Sequence, residues 1–102
     1  MRAHFVIPAL LRFPGSAARQ DSWGRLLELT AGGALLSTAS SFAEGETVQV
    51  VFELGGEKRT LRARARRSEK DDDGWTLAEL RWDDMVERRS LARALLDVLS
   101  KC

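Results

Sequence analysis

Apolar and polar residues alternate along most of this chain with a period of two, the repeat of a strand that buries one face. The alternation is cleanest over 47–54, TVQVVFEL, where Val48, Val50, Phe52 and Leu54 share one face and Thr47, Gln49 and Glu53 share the other. Gly55-Gly56 then fits a two-residue hairpin turn. The return strand, 57–67, points Leu61, Ala63 and Ala65 inward and Thr60, Arg62, Arg64 and Arg66 outward. Upstream, the segment 4–13 alternates Phe5, Ile7 and Leu11 against Val6, Pro8 and Leu10. Pro8 has no amide donor, which places it at an edge or a bulge. The strand 23–30 is expected to put Trp23, Leu27 and Leu29 on one face with Arg25. After it, Ala31-Gly32-Gly33 reads as a tight turn in which glycine supplies positive φ. Short strands follow at 33–38 and, after the solvated KDDDG turn, at 74–82.

The period then changes to 3.6. Met85, Ala92, Leu95, Leu96 and Leu99 fall at helical spacing over 84–100, with Asp84 as N-cap and Glu87 three residues on as its reciprocal partner. Six short antiparallel strands close most easily as a small barrel, and an amphipathic helix covers its edge or mouth. The predicted fold is therefore all-β with one helix: a six-stranded antiparallel β-barrel followed by a C-terminal α-helix, with residues 1–102 forming one domain.

Composition narrows the chemistry. The 102 residues include one Cys, one His and no Tyr. A structural zinc site takes about four Cys or His ligands, so that class is excluded. No acid–base pair, nucleophile constellation or metal set can be assembled, and the chain is not expected to be an enzyme or to carry a cofactor. One cysteine makes no internal disulfide, which fits a reducing cytoplasm. Net charge is +1, so no overall basic excess points to nucleic acid. The row Arg62, Arg64, Arg66 is locally basic, but no aromatic residues interleave with it, which argues against single-strand binding. It remains a candidate surface for an anionic partner. No run of 18 uncharged apolar residues exists to span a membrane, and the segment 1–13 reads as part of the fold rather than a signal peptide. Trp23, Trp75 and Trp82 are expected in the core or at the barrel rim; Trp82, where exposed beside the helix, is a candidate partner anchor.

Four pieces carry a resemblance when taken in order: RAHFVIPALLRF, ELTAGGALLST, the strands GETVQVVFEL and GWTLAELRW, and the tail WDDMVERRSLARALLDVL. Together they resemble a PilZ domain, the bacterial receptor module for cyclic di-GMP, over most of the chain. The resemblance implies a PilZ-like barrel of the split-barrel type. It also implies a site in which an R-x-x-x-R segment and a D/N-x-S-x-x-G turn converge on the dinucleotide. Guanidinium suits that ligand, as a fork of donors for phosphate and a flat cation for guanine. The alignment puts Arg2 on the first motif arginine and Val6 where the second belongs. In the turn, Glu28 replaces Asp/Asn, Thr30 replaces Ser, and Gly33 keeps the glycine. Arg12 or Arg19 can fill the vacant place, Arg19 better. The ligand set the resemblance implies for cyclic di-GMP is thus Arg2, Glu28, Thr30, Gly33 and Arg19. The missing arginine predicts weak or no binding. With the dinucleotide held so weakly, the resemblance implies an adaptor role on a partner protein of motility, pilus, flagellar or polysaccharide machinery. A true receptor with an altered motif and a small nucleic-acid-binding barrel are the alternatives.

Overall fold

A computed structural model of the chain describes residues 2–15 and 19–100, with side chains from residue 6 onward. Six strands are followed by one helix: β1 (Arg2–Arg12), β2 (Ser22–Thr30), β3 (Gly33–Thr38), β4 (Thr47–Leu54), β5 (Glu57–Lys70), β6 (Thr76–Trp82) and α1 (Met85–Ser100). The strands form a closed antiparallel barrel in the order β1-β2-β3-β6-β5-β4. The expectations for Arg2, His4, Phe5 and Cys102 as side chains lie outside the described residues.

The hairpin β4–β5 follows the sequence pattern. Leu54 faces Glu57 across a turn in which Gly55 and Gly56 both take positive φ, 61° and 83°. Only glycine reaches that region without steric cost, and such a turn matches the twist of the flanking strands. Val48, Val50, Phe52 and Leu54 from β4 and Leu61, Ala63 and Ala65 from β5 enter the core together. Pro8 is accommodated as expected. The pairing of β1 with β4 begins only at Leu10, so the proline lies where β1 is bonded to β2 alone.

Elsewhere the simple alternation breaks at bulges. In β2 the pairing with β3 slips between Leu26 and Glu28. One extra residue inverts the side-chain sequence. Gly24 and Leu26 therefore face inward before the slip and Leu29 after it, so the expected shared face of Trp23, Leu27 and Leu29 does not form. Trp23 ends up 66% exposed, and Trp75 is exposed as well. A second slip lies between His4 and Ile7 in β1, and a third in β5 between Ala65 and Arg67.

The helix begins where the sequence puts it. The Asp84 carboxylate accepts the amide of Val86 at 2.7 Å, an N-cap bond. The reciprocal half of the capping box is absent: Glu87 Oε2 is buried without a hydrogen-bond partner. The buried stripe is Leu91 and Leu95, flanked by Ala94, Val98 and Leu99, while Met85 and Leu96, expected inward, are 59% and 53% exposed. α1 packs against β2, β4 and β6, and Arg59 of β5 donates to its Ser90 Oγ at 3.2 Å, so the helix lies across one open end of the barrel. Burying two leucine side chains contributes about 3–6 kcal/mol. That is a large share of the roughly 5–15 kcal/mol typical of such a domain.

Candidate functional site

The turn between β2 and β3 is built around Thr30. Its hydroxyl oxygen accepts the amides of Gly32 (3.2 Å) and Gly33 (3.1 Å) and donates to the Gly33 carbonyl (3.2 Å). The threonine thus holds its own turn, and little of its hydrogen-bonding capacity is left for a ligand. Neither Gly32 nor Gly33 takes positive φ, so the expectation that they supply it is corrected. Gly33 is needed for another reason. It pairs with Arg81 on β6, and a Cβ there would stand 2.0 Å from the Leu80 carbonyl oxygen.

Trp82 fastens this turn from below. Its indole Nε1 donates to the Thr30 carbonyl at 3.2 Å and its amide to the Gly32 carbonyl at 3.1 Å. The ring stacks on Phe52, with centroids 6.3 Å apart and planes 20° apart. The Trp82 carbonyl in turn accepts Nε and Nη2 of Arg88 from α1, at 2.9 and 2.7 Å. Trp82 is fully buried, at 0% exposure, so its reading as a partner anchor is overturned. Its place is fixed by alternation with Leu80 along β6, which turns both into the barrel. The exposed tryptophans are Trp23 and Trp75.

A groove of about 1200 Å³ opens beside the turn on the outer wall of β3, β6 and β5. Glu28, Thr30 and Gly33 border it, so three of the five residues in the expected ligand set are brought together. Arg2 pairs with Thr30 through the backbone, and its side chain lies outside the described residues. Arg19 does not line the groove. Its guanidinium pairs with Glu46, donates to the Ser41 carbonyl at 2.7 Å, and lies over the Phe13 ring, 3.7 Å from the centroid. Arg12 pairs with Asp21 at 3.5 Å and likewise lies away from the groove. Val6 is 63% exposed on β1. The far wall of the groove carries Arg66 and Arg67 of the locally basic return strand and two cations that sequence reasoning missed, Arg81 and Arg88. Arg81 had a signal: it alternates outward between Leu80 and Trp82, and only the register of β6 on β5 shows what it faces.

The comparisons with known proteins agree with this architecture. The family model described as PilZ domain matches residues 1–97. The chain belongs to the PilZ domain family. Several solved structures resemble it at low sequence identity, among them three PilZ-containing proteins or PilZ-like folds. The PilZ domain of YcgR from Escherichia coli, with c-di-GMP, is 15% identical at a TM-score of 0.72, with 99% of this chain and 90% of that one covered. The PilZ domain of CeSA from a cellulose-synthesizing bacterium is 20% identical at 0.65, covering 98% and 96%. The Bacillus subtilis inhibitor of motility MotI/DgrA is 19% identical at 0.72, covering 98% of this PilZ domain but only 50% of MotI/DgrA. At such identities the likeness establishes the fold. No curated protein matches the sequence. Among the described residues, no helix is long and apolar enough to cross a membrane, and no acidic, His or Cys cluster is arranged to hold a metal.

Proposed function

We propose that this PilZ domain is a non-enzymatic regulatory module of cyclic di-GMP signalling. In this reading it works in the cytoplasm, docks on a partner protein of motility, pilus, flagellar or polysaccharide machinery, and holds the dinucleotide far more weakly than a motif-complete relative. One observation carries the reading. The position of the second motif arginine is an exposed valine, Val6, and the two arginines near enough in sequence to replace it are engaged elsewhere, Arg12 with Asp21 and Arg19 with Glu46 and Ser41. Each hydrogen bond to a charged group contributes about 1.5–3 kcal/mol. An arginine that makes two phosphate contacts is therefore worth roughly 3–6 kcal/mol, or two to four decades of affinity. The relatives supply the class: the YcgR structure contains c-di-GMP, and MotI is an inhibitor of motility.

Calorimetric titration with cyclic di-GMP tests this. The wild type is expected to bind no tighter than about 100 µM, and Val6→Arg to bind at least tenfold tighter. A submicromolar constant for the wild type refutes the reading. It would favour the second one, a receptor with an altered ligand set, which has its own support in Arg66 and Arg81 on the groove wall opposite Thr30. In that case Arg81→Ala abolishes the binding.

A further inference from the structure

Two pairs of outer charges are matched directly across β5. Glu53 faces Lys58, and Arg67 faces Glu79. At one place the matching fails: Arg64 of β5 faces Arg81 of β6 directly, both exposed. Like charges directly opposite one another in a sheet repel, so this pair destabilises the bare domain and favours whatever anion relieves it. Arg64 has Asp83 at 3.4 Å, whereas Arg62, Arg66 and Arg81 make no ion pair among the described residues. A cleft of about 320 Å³ runs between Arg66 and Arg81, lined also by Arg64 and Arg88 with Glu44 and Asp83. Arg88 is committed to the Trp82 carbonyl and Arg64 to an exposed pair with Asp83, which leaves Arg66 and Arg81 to turn toward a ligand first.

We infer that this wall is the docking surface for an acidic, extended segment of the partner protein, with glutamate or aspartate at every second residue. Arg62 and Arg64 project from one face of β5 at a spacing of about 6.5–7 Å, and Arg66, the extra residue of the bulge between Ala65 and Arg67, follows them on the exposed side. Alternate side chains of an extended peptide have the same repeat, and guanidinium takes carboxylate in a bidentate fork. Nucleic acid fits less well. Among the described residues, no exposed aromatic side chain stands among these arginines for bases to stack on: Trp23 is on β2, and Trp75 precedes β6.

The inference rests on the proposed docking role and fails separately from it. The probe is a fluorescein-labelled dodecapeptide of alternating glutamate and serine, followed by anisotropy on the whole domain. Binding is expected at low ionic strength and is expected to weaken with salt. The triple variant R64E/R66E/R81E is expected to weaken it at least tenfold, while R93E, a single such charge reversal on the exposed face of α1, leaves it intact. Arg81→Gln guards against misfolding of the triple variant. It removes the Arg64–Arg81 repulsion, so it is expected to melt no lower than the wild type while binding the peptide several-fold more weakly. Equal peptide binding by wild type and R81Q overturns the inference, as does no peptide binding at all. Tighter binding of a dT12 oligonucleotide than of the peptide reassigns the wall to nucleic acid. Displacement of the peptide by micromolar cyclic di-GMP reassigns it to the dinucleotide. A partner that docks elsewhere on the barrel would survive either result, and the dinucleotide affinity of the wild type is read independently by calorimetry.

Discussion

Substituting the two glycines of the β2–β3 turn one at a time separates packing from turn conformation. In Gly33→Ala the new methyl lies 2.0 Å from the Leu80 carbonyl oxygen, 3.1 Å from the Leu80 carbonyl carbon and 3.3 Å from the Arg81 Cα. All three are backbone atoms of β6, so no side-chain rotation relieves the clash. The oxygen has to retreat by about 1 Å even to reach the shortest separation real side chains show. That retreat opens the first rung of the β3–β6 ladder, Gly33 on Arg81. It also disturbs the hold of Trp82 on Thr30 and Gly32. Overpacking a rigid site costs about 1–3 kcal/mol, and an unyielding backbone puts this one near 3. For a domain of this size that lowers the melting temperature by about 12–24 °C. Gly32→Ala, one residue earlier, meets only Thr30 Oγ1 at 4.0 Å and has no positive φ to sacrifice. It is expected to be neutral, or stabilising by about 0.4–1 kcal/mol through the unfolded chain. Thermal melts followed by circular dichroism, with urea titrations at constant m, read both variants. A Gly33→Ala domain that melts within about 2 °C of wild type, or a Gly32→Ala domain destabilised equally, refutes the packing argument. The same result bears on ligand studies, because a binding defect in Gly33→Ala cannot be read as a lost ligand contact while the barrel seam beneath it is open.

Three further perturbations probe the bonds around α1 and Trp82. Asp84→Ala removes the acceptor of the Val86 amide and is expected to cost about 0.5–2 kcal/mol, seen as a lower urea midpoint with m unchanged; an unaltered midpoint argues against the cap. Arg88→Ala deletes both bonds to the Trp82 carbonyl and is expected to cost about 1.5–3 kcal/mol, with Arg88→Lys recovering only part because an ammonium lacks the fork. Full recovery by lysine would show that charge alone suffices. Trp82→Phe keeps a ring against Phe52 but orphans the Thr30 carbonyl, at about 1–3 kcal/mol. Its fluorescence is expected to shift to the red, since the remaining Trp23 and Trp75 are exposed, and a variant with the wild-type spectrum contradicts the burial assigned to Trp82.

The hydrophobic pattern alone determined the six strands, the terminal helix, the inward faces of β4 and β5, the outward arginine row and the glycine hairpin at 55–56. Those features are local, since a residue's face is set by its neighbours two positions away. Tertiary structure decided what depends on more than one strand. Bulges in β1, β2 and β5 invert the alternation where the barrel must bend, and nothing in WGRLLEL marks which leucine is the extra one. That is why Trp23 lies outside and Leu26 inside. The buried stripe of α1 was set by the barrel end it covers, so Leu91 replaced Met85 and Leu96 in the core. Glu28, Thr30 and Gly33 were legible as a unit because they are contiguous. Arg81 opposite Arg64 was not, because a cross-strand neighbour is fixed by register, and register is a property of the closed sheet rather than of either strand.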